Sequence, residues 1–194
     1  VLNLCSARII IKASDRRRYE CMEAIQAINT RRSIRKYLDK PVEQEKIDVI
    51  IEAGLKAPSA KNTQNTIILR VKDPEANAQI RKLNNEIWGK AEGVDPFYGA
   101  PEILVVLGKK DWEKKVYDGS CVLENMMIAA HALDLGTCWI HRAKETFETD
   151  WGKELLKKAG VEGEYEGIGH LALGYPAADN PPAPACKGQR AYTI

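Results

Sequence analysis

Apolar residues recur three or four positions apart in several stretches of the chain, a spacing typical of amphipathic helices. This pattern predicts helices near residues 22–28, 41–55, 74–88, 116–135 and 150–158. Start and stop signals support two of them. Asp73 followed by Pro74 is a typical helix start, and Gly136 is a natural C-terminal glycine for the longest helix.

Short, continuous apolar runs lie between these helices and predict buried strands. They cover residues 66–71, 102–108, 137–140 and 170–176, and the C-terminal residues 186–194 end like a further strand. Helices come first and strands then alternate with helices, which predicts an α+β domain with a sheet under helices. The glycine signatures GxGxxG and GxxxxGK[ST] are absent from the sequence, which disfavours a Rossmann or P-loop nucleotide site.

The length of 194 residues predicts one domain. Residues 22–194 form that expected domain. Residues 1–21 form an N-terminal extension outside the core fold, because a clear helical pattern begins only at Met22. Their apolar start followed by charges is the reverse of a secretory signal. We find no run of the ~18 apolar residues that a membrane span needs.

Charge and cysteine content exclude several classes of function. The net charge is +2, from 29 basic and 27 acidic residues, and gives no reason to expect binding to nucleic acid or membranes. The 5 cysteines form no CxxC pair, and their odd number argues against a disulfide framework. We therefore expect no metal site and a reducing, cytoplasmic location.

One local cluster of charge stands out from this balanced composition. The sequence TRRSIRKY, residues 30–37, carries Arg31, Arg32, Arg35 and Lys36 around Ser33. Such a cluster is either an anion-binding site or a solvated basic turn. Taken alone, the solvated turn is the simpler interpretation.

Four further blocks change that interpretation. RRSIRKY is followed in order by APSAKNTQ, YGAPEILVV, ENMMIAAHALDLGTCWI and LALGYP. Together these blocks resemble the FMN-dependent nitroreductase family over nearly all of residues 22–194. The resemblance implies a central, mostly antiparallel sheet flanked by helices, in a domain-exchanged homodimer. It also implies two FMN molecules in the subunit interface, reduced by NADH or NADPH and passing electrons to nitroaromatic, quinone or related acceptors in a ping-pong reaction.

The resemblance also nominates residues that hold the cofactor. A phosphate monoester carries about −1.5 to −2 charges, and the planar arginine fork can bind it bidentately. Motif matches place Arg31, Arg32 and Ser33 against the flavin, with Arg35 towards its pyrimidine edge. The C-terminal KGQR segment returns to the phosphate and nominates Lys187 and Arg190.

Two more segments match flavin-contacting parts of the family. The loop with Pro58, Ser59, Ala60, Asn62 and Gln64 is expected to reach the flavin from the partner subunit, and amide side chains can both donate and accept there. Relatives often continue with Pro-Trp where this chain has Asn65-Thr66. The second segment passes near the flavin ring and comprises Gly136, Thr137, Cys138 and Trp139.

Two residues, Tyr98 and His141, are expected at the substrate pocket. We expect no catalytic side chain, because the cofactor carries the chemistry. Cys138 is interpreted as a small buried residue, and His170 as structural. Two alternatives stay open: an FMN-binding storage or sensing module with little turnover, and a specialised flavin- or halide-processing branch of the same fold.

Overall fold

The computed structural model of this chain describes residues 22–185 and 187–194. The predicted N-terminal extension, residues 1–21, lies outside the described residues. The division into an extension and one domain of residues 22–194 therefore stays a prediction.

Six α-helices, one short 3₁₀ helix (Ala60–Asn62) and four strands make up the described fold. The helices are α1 (Ala24–Thr30), α2 (Gln44–Leu55), α3 (Pro74–Trp88), α4 (Lys115–Ala132), α5 (Ala143–Glu148) and α6 (Asp150–Lys158). The strands are β1 (Thr66–Arg70), β2 (Glu102–Lys109), β3 (Gly136–Ile140) and β4 (Tyr165–Gly174).

The four strands form one sheet in the order β1-β2-β4-β3, and each neighbouring pair is antiparallel. Side chains alternate between the two faces of a strand. Leu104 and Val106 of β2 pack in the core beneath α2 and α4, whereas Ile103 and Val105 pack in the core beneath α3, α5 and α6. The expected α+β sheet flanked by helices is confirmed.

The predicted start of α3 is confirmed at atomic detail, but the predicted end of the longest helix is wrong. Asp73 accepts a hydrogen bond from the Glu75 N–H at 3.1 Å, and Pro74 opens α3. The longest helix, α4, ends at Ala132. Asp134 supplies the left-handed residue, with φ 61°, and Gly136 instead begins β3.

Two elements and the C-terminus differ from the sequence prediction. Strand β4 begins at Tyr165 rather than at residue 170, and α5 was not predicted. Residues 187–194 form no strand, contrary to expectation, and their hydrogen bonds are local, such as Gln189 Nε2 to the Ala191 carbonyl. A strand needs a ladder partner, and the described part of one chain offers this tail none. In the same described part, no helix is both long and apolar enough to cross a membrane.

Candidate functional site

The basic segment, residues 31–35, lies along the outer edge of β3. Ser33 forms a parallel bridge with Thr137, and the Ile34 N–H donates to the Thr137 carbonyl at 2.9 Å. Ile34 also covers Gly136, where an added Cβ would lie 2.7 Å from Ile34 Cγ1. Two predicted flavin-contacting segments, separated by about a hundred residues in the sequence, are therefore neighbours in the fold.

Two guanidinium groups of this segment have unpaired buried nitrogens. Nη1 of Arg31 and Nε of Arg32 have no hydrogen-bond partner among the described residues. Arg32 Nη1 donates to the Asn29 and Arg31 carbonyls at 3.0 and 2.5 Å, while Arg31 Nε lies 3.8 Å from a half-exposed Glu124 carboxylate. Unpaired buried donors are costly, and several oxygens of one anion would satisfy them. The donor set therefore fits a phosphate group.

His131 of α4 borders the same cluster. Its Nε2 lies 2.9 Å from Thr30 Oγ1, which itself donates to the Gln26 carbonyl at 2.7 Å, so we assign a proton to Nε2. Burial lowers the pKa of His131, and the nearby Arg31 adds to this effect. His131 is therefore neutral at neutral pH and adds no positive charge. Sequence reasoning missed its contact with the cluster.

The side chains of Cys138 and Trp139 point to opposite faces of the sheet. Cys138 is buried, and burial raises the pKa of its thiol despite the nearby Arg35 and the Ser33 hydrogen bond. The interpretation of Cys138 as a small buried residue is confirmed. The Trp139 indole packs against the core under α4 and against Gly169, and its Nε1 has no partner among the described residues.

Tyr37, which sequence reasoning missed, holds the basic segment through a hydrogen bond to its backbone. Its hydroxyl donates to the Ile34 carbonyl at 2.8 Å. Burial raises its pKa far above the ordinary value, and the nearby Cys138 and Tyr98 add to that shift. Tyr37 is therefore a neutral donor at every physiological pH. Its contribution could not be read from a tyrosine at the end of a charged stretch.

The amide-rich loop, residues 58–64, has a defined shape. Lys61, Asn62 and Gln64 adopt left-handed backbone conformations with φ of 55°, 53° and 50°. Ser59 Oγ accepts from the Gln64 N–H at 3.0 Å, and Gln64 Nε2 donates to Asn62 Oδ1 at 3.0 Å. These bonds hold the two exposed amide side chains in one arrangement.

The buried carboxylate of Asp118 anchors this loop to the first turn of α4. Its Oδ1 accepts from the Ala60 N–H at 2.9 Å, and its Oδ2 accepts from the Trp112 indole N–H at 2.7 Å. Nothing in the sequence marked Asp118, because an acidic residue at the start of a helix is usually solvated.

One chain does not bring all the predicted groups together. Arg31 meets α4 at Glu124, about 9 Å further along the helix axis than Asp118 at 1.5 Å per residue. Among the described residues, no hydrogen bond or ion pair joins the loop to residues 31–35. Lys187 and Arg190 are exposed, and no hydrogen bond or ion pair in the described part of the chain joins them to residues 31–35.

Of the two predicted pocket residues, His141 directly follows β3 and Tyr98 lies in the segment before β2. Tyr98 has a left-handed backbone, with φ 58°, and packs at the border of the core under α3. His141 is exposed, and its ring centroid lies 6.1 Å from that of Trp139.

The residue after His141 is held by groups that sequence reasoning missed. Arg142 has φ 73°, and its Nε donates to Asn84 Oδ1 at 3.1 Å. Asn84 Nδ2 donates in turn to the His141 carbonyl at 2.8 Å. The guanidinium carbon lies 4.8 Å from the centre of the Trp88 ring. A buried asparagine and an aromatic ring, both from α3, therefore fix the turn at residues 141–142.

Comparison with known proteins gives consistent matches. The sequence model of the Nitroreductase family matches residues 28–175. A protein of Methanothermobacter thermautotrophicus, provisionally named NADH dehydrogenase/NAD(P)H nitroreductase, is 35% identical over 127 residues, 61% of this chain. This chain spans 60% of that relative's length. A relative of the same provisional name from Archaeoglobus fulgidus is 30% identical over 79% of this chain and 86% of its own length.

Solved structures share the fold. A nitroreductase of Bacteroides fragilis with bound FMN superposes with a TM-score of 0.73 at 25% identity, covering 89% of this chain and 97% of that protein.

Proposed function

This chain belongs to the nitroreductase family, and from that premise we propose that it is an FMN-dependent oxidoreductase. It takes hydride from NADH or NADPH and reduces nitroaromatic, quinone or related small-molecule acceptors. Donor and acceptor use the same site in turn, which is a ping-pong mechanism. Its cytoplasmic location stays a prediction from the cysteine content.

The observation that carries this proposal is the pair of unpaired, buried guanidinium nitrogens of Arg31 and Arg32 beside β3. With Ser33 they hold the phosphate of FMN. Arg35 lies beside the same strand and places positive charge near the pyrimidine edge, where reduction adds negative charge. We also propose that Lys187 and Arg190 reach the phosphate from the C-terminal tail, although the tail's hydrogen bonds in the described single chain are local.

The chain's own residues bind and orient. When bound, FMN supplies the hydride chemistry, accepting from the nicotinamide and donating to the acceptor. The edge of β3, with Gly136, Thr137, Cys138 and Trp139, forms the wall beside the ring. The raised pKa of the Cys138 thiol keeps it protonated, and the lowered pKa of His131 keeps that ring neutral. The Cys138 thiol therefore does not act as a thiolate nucleophile beside the flavin. His131 likewise adds no positive charge there.

A homodimer completes the site. Pro58, Ser59, Ala60, Asn62 and Gln64 act on the flavin held by the partner chain. Two features support this arrangement. The loop is bonded to Asp118 of α4, whereas Arg31 meets the same helix at Glu124, about 9 Å further along its axis. Ile25 and Ile28 of α1, and Val116 and Tyr117 of α4, are 70%, 52%, 52% and 72% exposed, which leaves apolar side chains on both helices for a partner chain to cover.

FMN affinity tests the phosphate site directly. Arg31→Ala removes charged hydrogen bonds worth about 1.5–3 kcal/mol, so we expect the Kd for FMN to rise about 10–100-fold. Titration of the apoprotein by quenching of flavin fluorescence measures this. Lys36→Ala is the matched control, since it removes one exposed charge directly after the basic segment and should leave the Kd within about twofold. Equal Kd values for wild type and Arg31→Ala would contradict the assignment.

Turnover tests the enzymatic part of the proposal. The FMN-loaded protein is titrated anaerobically with NADH and then with NADPH, and the reduced protein is mixed with a nitroaromatic or a quinone. We expect bleaching of the flavin absorbance by the donor and its return with the acceptor. A protein that binds FMN tightly but is bleached by neither donor would be a storage or sensing module instead.

A further inference from the structure

We propose that Arg142 determines substrate specificity by binding an oxyanion, a phosphate or a carboxylate, carried by a substrate of this enzyme. This inference rests on the proposed function and names a chemical feature of the substrate.

The backbone at Arg142 is held in an unfavourable conformation. Its φ of 73° and ψ of 16° lie in the left-handed region, where glycine is favoured and a long side chain is disfavoured. Asn84 is fully buried and uses its amide oxygen on Arg142 Nε and its amide nitrogen on the His141 carbonyl. A dedicated buried amide that holds a disfavoured arginine indicates that the position of the guanidinium matters.

The guanidinium is oriented but lacks a counter-charge. One of its nitrogens, Nε, is used by Asn84, and its plane packs near Trp88. Among the described residues, no carboxylate lies within the 4.0 Å of an ion pair, although Glu145 acts on it from further away. Its two terminal nitrogens therefore keep their donors for a ligand, in the fork that matches a carboxylate or phosphate.

A second cation strengthens the same surface. Lys90 Nζ lies 5.2 Å from the centre of the Trp88 ring, which also carries Arg142. Trp88 is 38% exposed, so a planar ligand can contact the indole while an anionic group meets the two cations. The chemistry of this surface fits a flat molecule with an oxyanion arm.

The position of Arg142 links this surface to the predicted flavin site. It is three residues beyond Trp139, at the end of β3. Tyr98 lies close enough to act electrostatically on both Arg142 and Tyr37, in each case towards a higher pKa. The Tyr37 hydroxyl in turn donates to the Ile34 carbonyl of the basic segment. A substrate at the end of β3 would therefore meet Arg142 with its charged group.

Matched substrates with and without charge test the inference. The acceptor pair is 4-nitrobenzoate and its methyl ester, and the donor set is NADPH, NADH and the uncharged 1-benzyl-1,4-dihydronicotinamide. In Arg142→Gln we expect KM for the charged member of one set to rise about tenfold, since a charged hydrogen bond is lost, with kcat and the uncharged member unchanged. The set that responds identifies whether acceptor or donor carries the oxyanion. A selective loss for NADPH over NADH identifies the 2′-phosphate.

Two further variants separate this role from a structural one. Lys144→Gln removes one exposed charge from the neighbouring helix turn, and we expect no change in any KM. Arg142→Lys keeps the charge without the fork, and we expect it to recover part of the loss. An equal effect of Arg142→Gln on charged and uncharged members, or no effect on either, would overturn the inference.

A binding measurement keeps this result separate from the proposed function. If the wild-type protein turns over no donor, the proposed function fails. Calorimetric titration of the FMN-loaded protein with 4-nitrobenzoate, its ester and NADP⁺ then decides the role of Arg142. Weaker binding of a charged ligand alone to Arg142→Gln supports it, and equal affinities, or no binding to the wild type, reject it.

Discussion

We expect the buried histidine of β4, His170, to make the stability of this protein sensitive to mild acid. His170 is fully buried, with its ring edge-on to Phe97 at 5.4 Å and tilted to Phe147 at 6.4 Å. Neither ring nitrogen makes a hydrogen bond of standard geometry with a described residue. Burial lowers the pKa of His170 to about 4, against a weak opposing effect of the His141 and Ile140 backbone.

The size of the effect follows from the two pKa values. In the unfolded chain His170 takes up a proton as the pH falls through 6.5, whereas in the folded protein it does so only near 4. Acid therefore favours the unfolded state, and the loss is complete below pH 4 at about 3 kcal/mol, from 1.36 kcal/mol per unit of pKa. Between about pH 7 and pH 5 the loss is about 2 kcal/mol.

Urea unfolding near pH 7, 6 and 5, at fixed protein and FMN concentrations, measures this loss. Carboxylates also titrate in this range, so the informative quantity is the difference between wild type and His170→Leu. We expect the variant to lose about 2 kcal/mol less between pH 7 and pH 5. The control Ile103→Val, in the same core, lowers stability by about 1 kcal/mol at every pH and keeps the wild-type slope. A His170→Leu slope equal to that of wild type would refute the reasoning.

Two further substitutions test the supports of the site. Gly136→Ala places a Cβ 2.7 Å from Ile34 Cγ1, so we expect a loss of about 1–3 kcal/mol in urea unfolding and weaker FMN binding, because the basic segment must move. An unchanged stability and an unchanged FMN affinity would mean that Ile34 can move aside without a cost to the site. Asp118→Leu leaves the Trp112 and Ala60 N–H groups unpaired and should lower stability by about 2–4 kcal/mol, whereas the exposed Asp111→Leu stays within about 0.5 kcal/mol. Equal stability of the two variants would contradict the anchoring role.

Sequence periodicity predicted the elements whose residues are chosen for burial, such as the continuous apolar run of β2. Periodicity failed to predict structure where a residue type is required by a contact with a residue far away in the sequence. The first half of β4 contains Gly167 and Gly169, which weaken a strand pattern. Both positions are crowded: a Cβ at Gly167 would collide with the Ala143 carbonyl, and one at Gly169 with the Trp139 indole. The residues that require a glycine at each position therefore lie on other elements. A short stretch of sequence around the glycine does not contain them.

The same limit applies to the site. The basic residues were visible, but only family resemblance connected residues 31–35 with residues 136–139, because nothing local specifies which strand a loop lies against. Asn84 and Asp118 were invisible for a related reason. A polar residue on a helix is expected to face solvent, yet both are buried because partners far away in sequence satisfy them.

Because the loop and the basic segment of one chain lie apart, we predict that each FMN site is built from two subunits. The loop is anchored at Asp118, and Arg31 lies further along α4. If the loop of one subunit serves the FMN of the other, each site takes Arg31 from one chain and Asn62 and Gln64 from its partner. Arg31→Ala impairs one half of the site. The double variant Asn62→Gly and Gln64→Gly impairs the other half, and glycine suits the positive φ at both positions.

Mixing the two variants distinguishes the two arrangements. When they are unfolded together and refolded, random pairing makes about half of the dimers mixed, and each mixed dimer has one wholly native and one doubly impaired site if the loop acts in trans. About a quarter of all sites should then regain wild-type FMN affinity, measured by fluorescence titration, although both parents bind weakly. Native mass spectrometry of chains with different mass tags establishes that mixed dimers have formed. If the loop acts on its own chain, every site in the mixed dimer carries one defect. No tight class of sites would then appear, and that result would refute the shared site.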